Sequence, residues 1–246
     1  MENLYIYGTR AISEAIHSGK TIDKIWLLKE SKNPLFEKLL HLVRKHQISC
    51  SFVPEERLKR FSQKNHQGAV ARMAPIQLMV LEELLPTILE KEKTPVFILL
   101  DGITDVRNFG ALLRTAVATG VAAVIIPDKG SAPINGDAVK TSAGSIFKIP
   151  IVKVTHLKDA VYLLKTYDIQ VLGITEKAHR PIYAQDLRQP TALVLGSEDK
   201  GISKGLLKIL DHQAKLPMSD AIASLNVSVA GGVALYEIIR QRNHTA

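Results

Sequence analysis

A polar loop follows the apolar run FILLD and leads into a helical pattern, DGITDVRNFGALLRTA, which carries Asn108, Gly110 and Arg114. Asparagine is a common helix cap, so Asn108 would place Arg114 near the amino end of a helix that begins at about Gly110. An amide and a guanidinium at the end of a strand could position a polar substrate. The alternative is an ordinary cap followed by a solvated arginine.

A second loop, ALVLGSEDKGIS, places Gly196, Glu198 and Gly201 directly after another apolar run. Glycines let a ligand approach the backbone closely, and a carboxylate can accept hydrogen bonds from a ribose, a base or an amine. The spacing matches neither the G-x-G-x-x-G fingerprint of dinucleotide sites nor the G-K-[ST] of a phosphate loop. A tight turn would explain these residues about as well.

A third segment, AKLPMSDAIASLNVSVAGGVALYE, runs from a strand through a proline-containing loop into the last helix. Ser224, Leu225 and Asn226 offer a hydroxyl, an apolar surface and an amide to a ligand, although Ser224 could simply cap the helix. The small residues of VSVAGGVA would allow that helix to pack closely. Three such loops favour one shared site over three unrelated turns.

Strands and helices alternate from Pro95 onward, and the strands FILL, AVII and LVL are almost entirely apolar. Strands without alternating polar residues are covered on both faces, which is typical of parallel sheets. The sequence therefore predicts a doubly wound α/β domain with a mostly parallel sheet. Ligands of such sheets bind beyond the carboxyl ends of the strands, where the three loops lie.

The first 76 residues form a separate, smaller α/β pattern with an excess of basic residues. They contain 13 Lys and Arg against 7 Asp and Glu, whereas residues 77–100 contain 2 against 4. We therefore predict an amino-terminal domain over residues 1–76, a linker over 77–94 and a second domain over 95–246. Phosphates attract Lys and Arg, so the net charge of +8 fits nucleic-acid binding as well as simple solubility.

Composition excludes several classes of protein. The single cysteine, Cys50, excludes an intrachain disulfide framework and a cysteine-based zinc site, and it points to the cytoplasm. Cys50 lies in a predicted strand and is expected in the core. No apolar run reaches the roughly 18 residues of a membrane helix. The first residues lack the basic and apolar parts of a signal peptide, so export is not expected.

At the three loops the chain resembles the SpoU (TrmH) family of RNA ribose 2′-O-methyltransferases, within the SPOUT superfamily. The motifs N-x-G-x-x-x-R, L-G-x-E-x-x-G and L-P-M…S-L-N-V-S-V-A have the order and spacing of that family, across residues 95–242. The first 76 residues, with YIYGTRAISEAI and NHQGAVA, resemble the L30-like RNA-binding domain of the members that modify ribosomal RNA. The resemblance is strongest to bacterial 23S rRNA guanosine-2′-O-methyltransferases.

The resemblance implies a fold, a cofactor and a set of site residues. The second domain would be tied in a deep trefoil knot, an exception to the rule that chains do not thread loops. It would form a homodimer, bind S-adenosylmethionine and use no metal. The implied cofactor-binding residues are Gly196, Leu216, Met218, Leu225 and Thr175. The implied catalytic residues are Asn108, Arg114, Glu198, Ser224 and Asn226.

In the family that the chain resembles, Arg114 would be the base that takes the ribose proton, and this role needs a physical interpretation. A ribose hydroxyl reacts once its proton is drawn away and its oxygen is aligned, yet a guanidinium is effectively always protonated. We therefore expect Arg114 to clamp an RNA phosphate, with a secondary part in accepting the proton. Ser224 and Asn226 would orient the ribose or Arg114, while Glu198 would organise the loop or the substrate.

The third motif departs from the family at Asp220, where glycine is usual. Aspartate tolerates positive φ, so the fold should survive, with an effect on cofactor affinity or RNA approach. Two alternatives remain open. One is a tRNA 2′-O-methyltransferase, although such members typically carry short basic extensions in place of an L30-like domain. The other is a non-catalytic RNA-binding or ribosome-assembly protein, against which the intact motif residues argue.

Overall fold

A computed structural model describes residues 4–29, 34–61, 64–219 and 221–243, so Asp220 lies outside the described residues. Packing divides the chain into two compact units. Unit 1 comprises Met1–Gln77 together with Pro133–Lys148, and unit 2 comprises Leu78–Ala132 together with Ile149–Ala246. The domain boundaries predicted from the sequence rest on motifs and charge rather than on packing, and they stay a prediction.

The elements are named in chain order. The strands are β1 (Leu4–Tyr7), β2 (Ile22–Leu28), β3 (Cys50–Val53), β4 (Ala69–Met73), β5 (Val96–Asp101), β6 (Ala123–Pro127), β7 (Ile151–Val154), β8 (Gln170–Ile174), β9 (Thr191–Gly196) and β10 (His212–Ala214). The helices are α1 (Thr9–His17), α2 (Pro34–Lys45), α3 (Leu81–Lys91), α4 (Val106–Ala118), α5 (Gly136–Thr141), α6 (Leu157–Thr166), α7 (Lys204–Leu207) and α8 (Val227–Asn243). A 3₁₀ helix covers Glu55–Phe61.

Unit 1 contains a four-stranded sheet with the order β1-β4-β2-β3. β4 pairs antiparallel with β1 and β2, whereas β3 runs parallel to β2. Because successive side chains alternate between faces, Ile6, Ile25 and Leu27 share one face, and all three are fully buried. The amphipathic helix α1 packs on β1 and β4, and α2 packs beside α1. Pro34 is the first residue of α2, a position that suits its fixed φ.

Residues 133–148 complete unit 1, although they come from the middle of the chain. Asn135 caps α5 by accepting hydrogen bonds from the amides of Asp137 and Ala138. A Cβ on Gly136 would lie 2.2 Å from the carbonyl oxygen of Tyr5, so only glycine lets α5 reach β1 this closely. Ion pairs from Lys64 to Asp137 (2.5 Å) and from Lys148 to Glu14 (2.8 Å) fasten the segment.

Unit 2 is built on a six-stranded sheet with the order β10-β8-β9-β5-β6-β7. Every neighbouring pair of strands runs parallel, which confirms the predicted doubly wound α/β architecture. The first five residues of β5 and of β9 are buried, as expected of a sheet with helices on both faces. The trefoil knot implied by the resemblance stays a prediction.

The predicted linker at residues 77–94 contains a helix that belongs to the core of unit 2. Leu81, Leu84 and Leu85 of α3 are buried in the same cluster as Phe97 and Val152 of the sheet. The charge change at this segment comes from the exposed acidic side chains of that helix, whose apolar face is covered. The segment therefore both joins the two units and covers part of the sheet.

Cys50 is exposed, and its prediction as a core residue is wrong. It is the first residue of β3, which lies at the edge of the sheet, so it lacks a neighbouring strand on one side. Within the described ranges, no helix is both long and apolar enough to cross a membrane.

Candidate active site

The loop after β5 begins helix α4 earlier than the sequence suggested. Asp105 is the cap, since its carboxylate accepts hydrogen bonds from the amides of Arg107 (2.6 Å) and Asn108 (3.0 Å). The prediction that Asn108 caps a helix starting near Gly110 is therefore wrong. Asn108 lies in the first turn of α4, which leaves its side chain free to bond elsewhere.

Asn108, Glu198 and Asn226 form a hydrogen-bonded cluster, here called the polar triad. Asn108 Nδ2 donates to Glu198 Oε1. Asn226 Nδ2 donates to Asn108 Oδ1 (3.0 Å) and to Glu198 Oε1 (3.2 Å). The three residues come from the first turn of α4, from the loop after β9 and from the position before α8, so the fold brings together one residue of each predicted motif.

Asn226 has a second role, because it caps helix α8. Its Oδ1 accepts hydrogen bonds from the amides of Ser228 (2.9 Å) and Val229 (3.3 Å) and from the Ser228 hydroxyl (2.6 Å). The alternative that Ser224 simply caps this helix is therefore wrong. Both ends of the Asn226 amide are engaged, whereas Glu198 Oε2 has no hydrogen-bond partner among the described residues.

A cavity of about 330 Å³ adjoins the polar triad. All five residues expected to bind a cofactor, Gly196, Leu216, Met218, Leu225 and Thr175, line it, together with Glu198 and Ser224. The volume lies at the lower end of the range for small-molecule sites. The lining also contains Gly201 of the second motif. The remaining lining residues were not predicted as site residues: Ile174, Glu176, Lys177, Leu195, Ser197, Asp199, Lys200, Ala223, Val227 and Ala230.

Two glycines shape the cavity wall by allowing a tight turn. A Cβ on Gly196 would lie 2.0 Å from the carbonyl carbon of Gly201, and Gly201 itself has φ +65°. The turn closes with a hydrogen bond from the Gly201 amide to the Ser197 carbonyl, at 2.8 Å. The tight-turn interpretation and the ligand-site interpretation of this loop are therefore both compatible with one structure.

Helix α8 reaches the site because it packs closely against α4. A Cβ on Gly231 would lie 2.5 Å from Leu112 of α4 and 2.8 Å from Leu195 of β9, so the glycine is needed for this approach. The close packing confirms what the small residues of VSVAGGVA indicated. It holds the amino end of α8, and with it Asn226, beside Asn108.

Arg114 and Ser224 are not joined to the polar triad. Arg114 lies on α4 six residues beyond Asn108, which corresponds to a helix face about 120° away. Its side chain is exposed and makes no hydrogen bond or ion pair with the described residues. Ser224 is exposed too, and it lines the cavity without a hydrogen bond to the triad.

The site offers polar organic groups rather than a metal centre. Over the described ranges, no group of three or more His, Cys, Asp or Glu side chains is placed to hold a metal ion. The arrangement provides a ligand cavity next to a carboxylate that two amides fix in place. Such a pair of features suits the alignment of a small cofactor with a hydroxyl-bearing substrate.

Comparison with known proteins identifies two sequence families in the chain. The SpoU rRNA Methylase family matches residues 95–236, and the family described as RNA 2′-O ribose methyltransferase substrate binding matches residues 5–79.

Similar proteins cover nearly the whole chain. A Pseudomonas aeruginosa protein named 23S rRNA (guanosine-2′-O-)-methyltransferase RlmB is 38% identical over 241 residues, 96% of each chain. A Bacillus subtilis protein named as a candidate TrmH family tRNA/rRNA methyltransferase, YacO, is 33% identical over 97% of this chain and 96% of its own.

A crystal structure shares the fold. The SpoU methyltransferase AviRb from Streptomyces viridochromogenes, solved with AdoMet, has a TM-score of 0.83 at 24% identity and covers 99% of this chain and 92% of that one. On the matched family and on the identity and coverage of these relatives, the chain belongs to the SpoU rRNA Methylase family.

Proposed function

We propose that this protein transfers a methyl group from S-adenosylmethionine to the ribose 2′-hydroxyl of a guanosine in 23S rRNA. The observation that carries the proposal is the cavity lined by all five expected cofactor residues, next to the polar triad. The names of similar proteins, including the 23S rRNA (guanosine-2′-O-)-methyltransferase of Pseudomonas aeruginosa, support the same reaction.

The residues of the cavity fit this cofactor. Leu216 and Leu225 offer apolar contact, and the glycine at position 196 opens the backbone to close approach. The carboxylates of Glu176, Glu198 and Asp199 lie in the same lining; carboxylates attract a sulfonium cation and accept hydrogen bonds from ribose hydroxyls. When bound, the cofactor supplies an electrophilic methyl group.

The polar triad would position the ribose for attack. As the new oxygen–carbon bond forms, the hydroxyl proton has to leave, and a carboxylate or a water near it can take that proton. Asn108 and Asn226 fix Glu198 Oε1 and leave Oε2 to face the substrate or to organise the loop. Arg114 would hold an RNA phosphate, since its charge is permanent. Ser224, at the cavity wall, would orient the ribose.

Unit 1 would bind the RNA. It contains 15 Lys and Arg against 8 Asp and Glu, so it carries +7 of the net charge of +8. Phosphate groups attract such an excess of cations whatever the base sequence of the RNA. A ribosomal RNA substrate also means that the protein acts in the cytoplasm, where the large subunit is assembled.

The exposed face of α8 supports a homodimer. Val229, Val233 and Tyr236 recur at helical spacing and are 51, 37 and 57% exposed, and Tyr183 beside them is 54% exposed. A contiguous apolar patch of this kind is typical of a surface that another protein covers. We propose that a second copy of the chain covers it.

The experiment that tests the proposed function is methyl transfer from labelled S-adenosylmethionine to rRNA and tRNA from cells that lack this protein, followed by nuclease mapping. We expect label on a single guanosine 2′-oxygen of 23S rRNA. Label in tRNA would overturn the substrate but keep the chemistry. Cofactor binding without transfer to RNA or to assembling large subunits would overturn the enzymatic proposal in favour of a non-catalytic RNA-binding protein.

A further inference from the structure

We propose that one face of the unit 1 sheet is a stacking platform for unpaired RNA bases, centred on Trp26. This proposal rests on the proposed function, because it names the part of the protein that holds the RNA substrate. The platform comprises Tyr5, Trp26 and Phe61, with the cations Lys24 and Arg72. It lies on the face of the sheet opposite to the one formed by Ile6, Ile25 and Leu27.

Strand register places these residues side by side. Tyr5 of β1 pairs with Arg72 of β4, and Arg72 pairs with Lys24 of β2, so the three form a row across three strands. In the next row Trp26 stands between Val70 of β4 and Ser51 of β3. Aromatic and cationic side chains therefore share one face of a flat element, as the period of two along each strand requires.

The aromatic rings of the platform contact one another. The ring centroids of Tyr5 and Trp26 are 6.2 Å apart with an angle of 28° between the ring planes. Phe61, at the end of the 3₁₀ helix, lies 5.5 Å from Tyr5. Tyr5, Trp26 and Phe61 are each partly exposed. Rings that already contact one another can receive a base without first being ordered, which lowers the entropic cost of binding.

The two faces of the sheet differ in how they are covered. Helix α1 packs on the face that contains Ile6, Ile25 and Leu27, and those residues are fully buried. On the platform side, Tyr7, Val53, Leu58 and Val70 form a small buried cluster. Tyr5, Trp26 and Phe61 pack against this cluster and stay partly exposed, so part of each ring's surface contributes to the core and part reaches solvent.

Charge favours RNA as the occupant. Lys24 Nζ lies 5.9 Å from the centroid of the Trp26 ring, and the Arg72 side chain is 37% exposed. Asp23 lies 3.5 Å from Arg72 Nε and offsets part of this charge, but unit 1 as a whole carries +7. Aromatic rings beside cations are the combination that holds single strands, because every base has a face to stack and a phosphate to neutralise.

Single-stranded RNA fits the platform better than a duplex does. Bases within a duplex are already stacked on their neighbours, so only loops, bulges and ends can place a base against Trp26. The nucleotide whose ribose is modified must also be accessible. We infer that the platform holds unpaired nucleotides of the substrate RNA.

Trp26 is the only tryptophan of the chain, so its fluorescence reports on the platform directly. An RNA hairpin with an unpaired loop should quench this emission in parallel with binding, which is followed separately by the anisotropy of a label on the RNA. Fully paired RNA of equal length should bind through its charge with much less quenching. Saturated binding of the hairpin with unchanged emission would overturn the proposal.

Variants separate stacking from charge and from stability. Trp26→Ala should weaken hairpin binding about ten-fold, and Trp26→Phe should recover most of it, since stacking on one ring is worth about that much. Lys24→Ala should weaken hairpin binding several-fold. The control is Lys45→Ala, on the exposed side of α2, which removes the same charge away from the platform and should change hairpin binding less. Equal effects of the two lysine substitutions would contradict the platform.

Kinetics distinguish this proposal from the proposed function. Trp26→Phe and Lys24→Ala should raise the KM for RNA and leave kcat at saturating RNA unchanged, because the platform lies outside the polar triad. Quenching by RNA in a protein that transfers no methyl group would overturn the reaction and keep the platform. Quenching by large-subunit proteins but not by RNA would overturn the platform as an RNA site.

Discussion

Asn226 connects two tasks that are usually assigned to different residues. Its side-chain oxygen, Oδ1, caps α8, and its side-chain nitrogen, Nδ2, donates to Asn108 and Glu198. The position of the carboxylate is thereby tied to the start of a helix that packs closely on α4. Asn226 acts as a positioning residue for Glu198, whose remaining oxygen can reach a substrate.

Asn226→Asp tests this interpretation because aspartate keeps the cap and loses both donated hydrogen bonds. We expect kcat for methyl transfer to fall by about 100-fold, since misplacement of a reacting group costs this order of magnitude. The thermal midpoint should change little, and cofactor binding, measured by calorimetry, should persist. Ser228→Ala, which removes one contact to the same oxygen, is the matched control. An unchanged kcat in Asn226→Asp would reduce Asn226 to a helix cap.

Arg114→Ala should abolish methyl transfer and leave S-adenosylmethionine binding largely intact. The reason is that Arg114 is exposed on α4, where no described residue pairs with it, and its charge is available to a phosphate. Arg114→Lys should retain part of the rate, since a lysine keeps the charge but not the paired donors of the guanidinium. Single-turnover rates and cofactor titration measure the two effects. An equal loss of cofactor binding would make Arg114 a structural residue.

At the scale of elements, the sheet of unit 2 could be predicted from its strands, but the helix starts could not. Runs such as FILL and LVL show that both faces are buried. In DVRNFG, by contrast, Asp105 and Asn108 are both capping types three residues apart, and local sequence does not decide between them. In the folded chain Asp105 is the cap, and the Asn108 side chain instead contacts Glu198, which lies 90 positions away in the sequence.

The candidate site was predictable only where its residues belong to a motif. Four of the five expected cofactor residues come from such motifs, whereas Thr175 was expected from its place after a strand, and all five line the cavity. Ile174 and Lys177 line it as well, without any local signature. Their place depends on how β8 lies beside β9, which is a property of the folded chain.

Glu237 of helix α8 makes the stability of the fold depend on pH. Hydrogen bonds from Arg240 are the largest influence and hold the pKa of the buried Glu237 carboxyl below its usual range, although burial alone would raise it. A lowered pKa in the folded state stabilises the fold above the ordinary carboxyl pKa, and this stabilisation is lost as the pH falls through the lowered value.

Glu237→Gln should therefore lower the free energy of unfolding by about 1–2 kcal/mol at pH 7 and by less near pH 3. Urea unfolding followed by circular dichroism measures both values. Glu82→Gln, on the exposed side of α3, is the matched control and should have little effect at either pH. A difference that grows as the pH falls would contradict the stabilising pair.

At the scale of the whole molecule, charge is divided unequally between the units. Deleting residues 1–76 should weaken RNA binding and flatten its salt dependence, since +6 of the net charge of +8 is lost with them. The deletion should also lower the thermal midpoint, because Ile146 and Phe147 are buried within unit 1 and would lose their cover. Filter binding at several salt concentrations measures the slope. An unchanged slope would place the RNA surface on unit 2.

Mixed dimers test whether the proposed homodimer shares its sites. Arg114 lies on a different face of α4 from Asn108, so we expect Arg114 of one subunit to serve the polar triad of the other. Mixing Arg114→Ala with Asn226→Ala would then create one intact site in each mixed dimer, so the isolated mixed dimers should have about half of wild-type activity. Co-expression with two affinity tags isolates the mixed dimers. No recovery would show that each subunit uses its own Arg114.

The closure of unit 1 by residues 133–148 has a consequence for synthesis on the ribosome. The last strand of the sheet, β4, ends at Met73, yet the segment that covers the edge of β1 is complete only at Lys148. At the usual speed of translation, the nascent sheet waits about 4 to 15 s for that cover. During this interval the β1 edge is open to pairing with another chain. Slow translation between these points should therefore increase aggregation of the newly made protein.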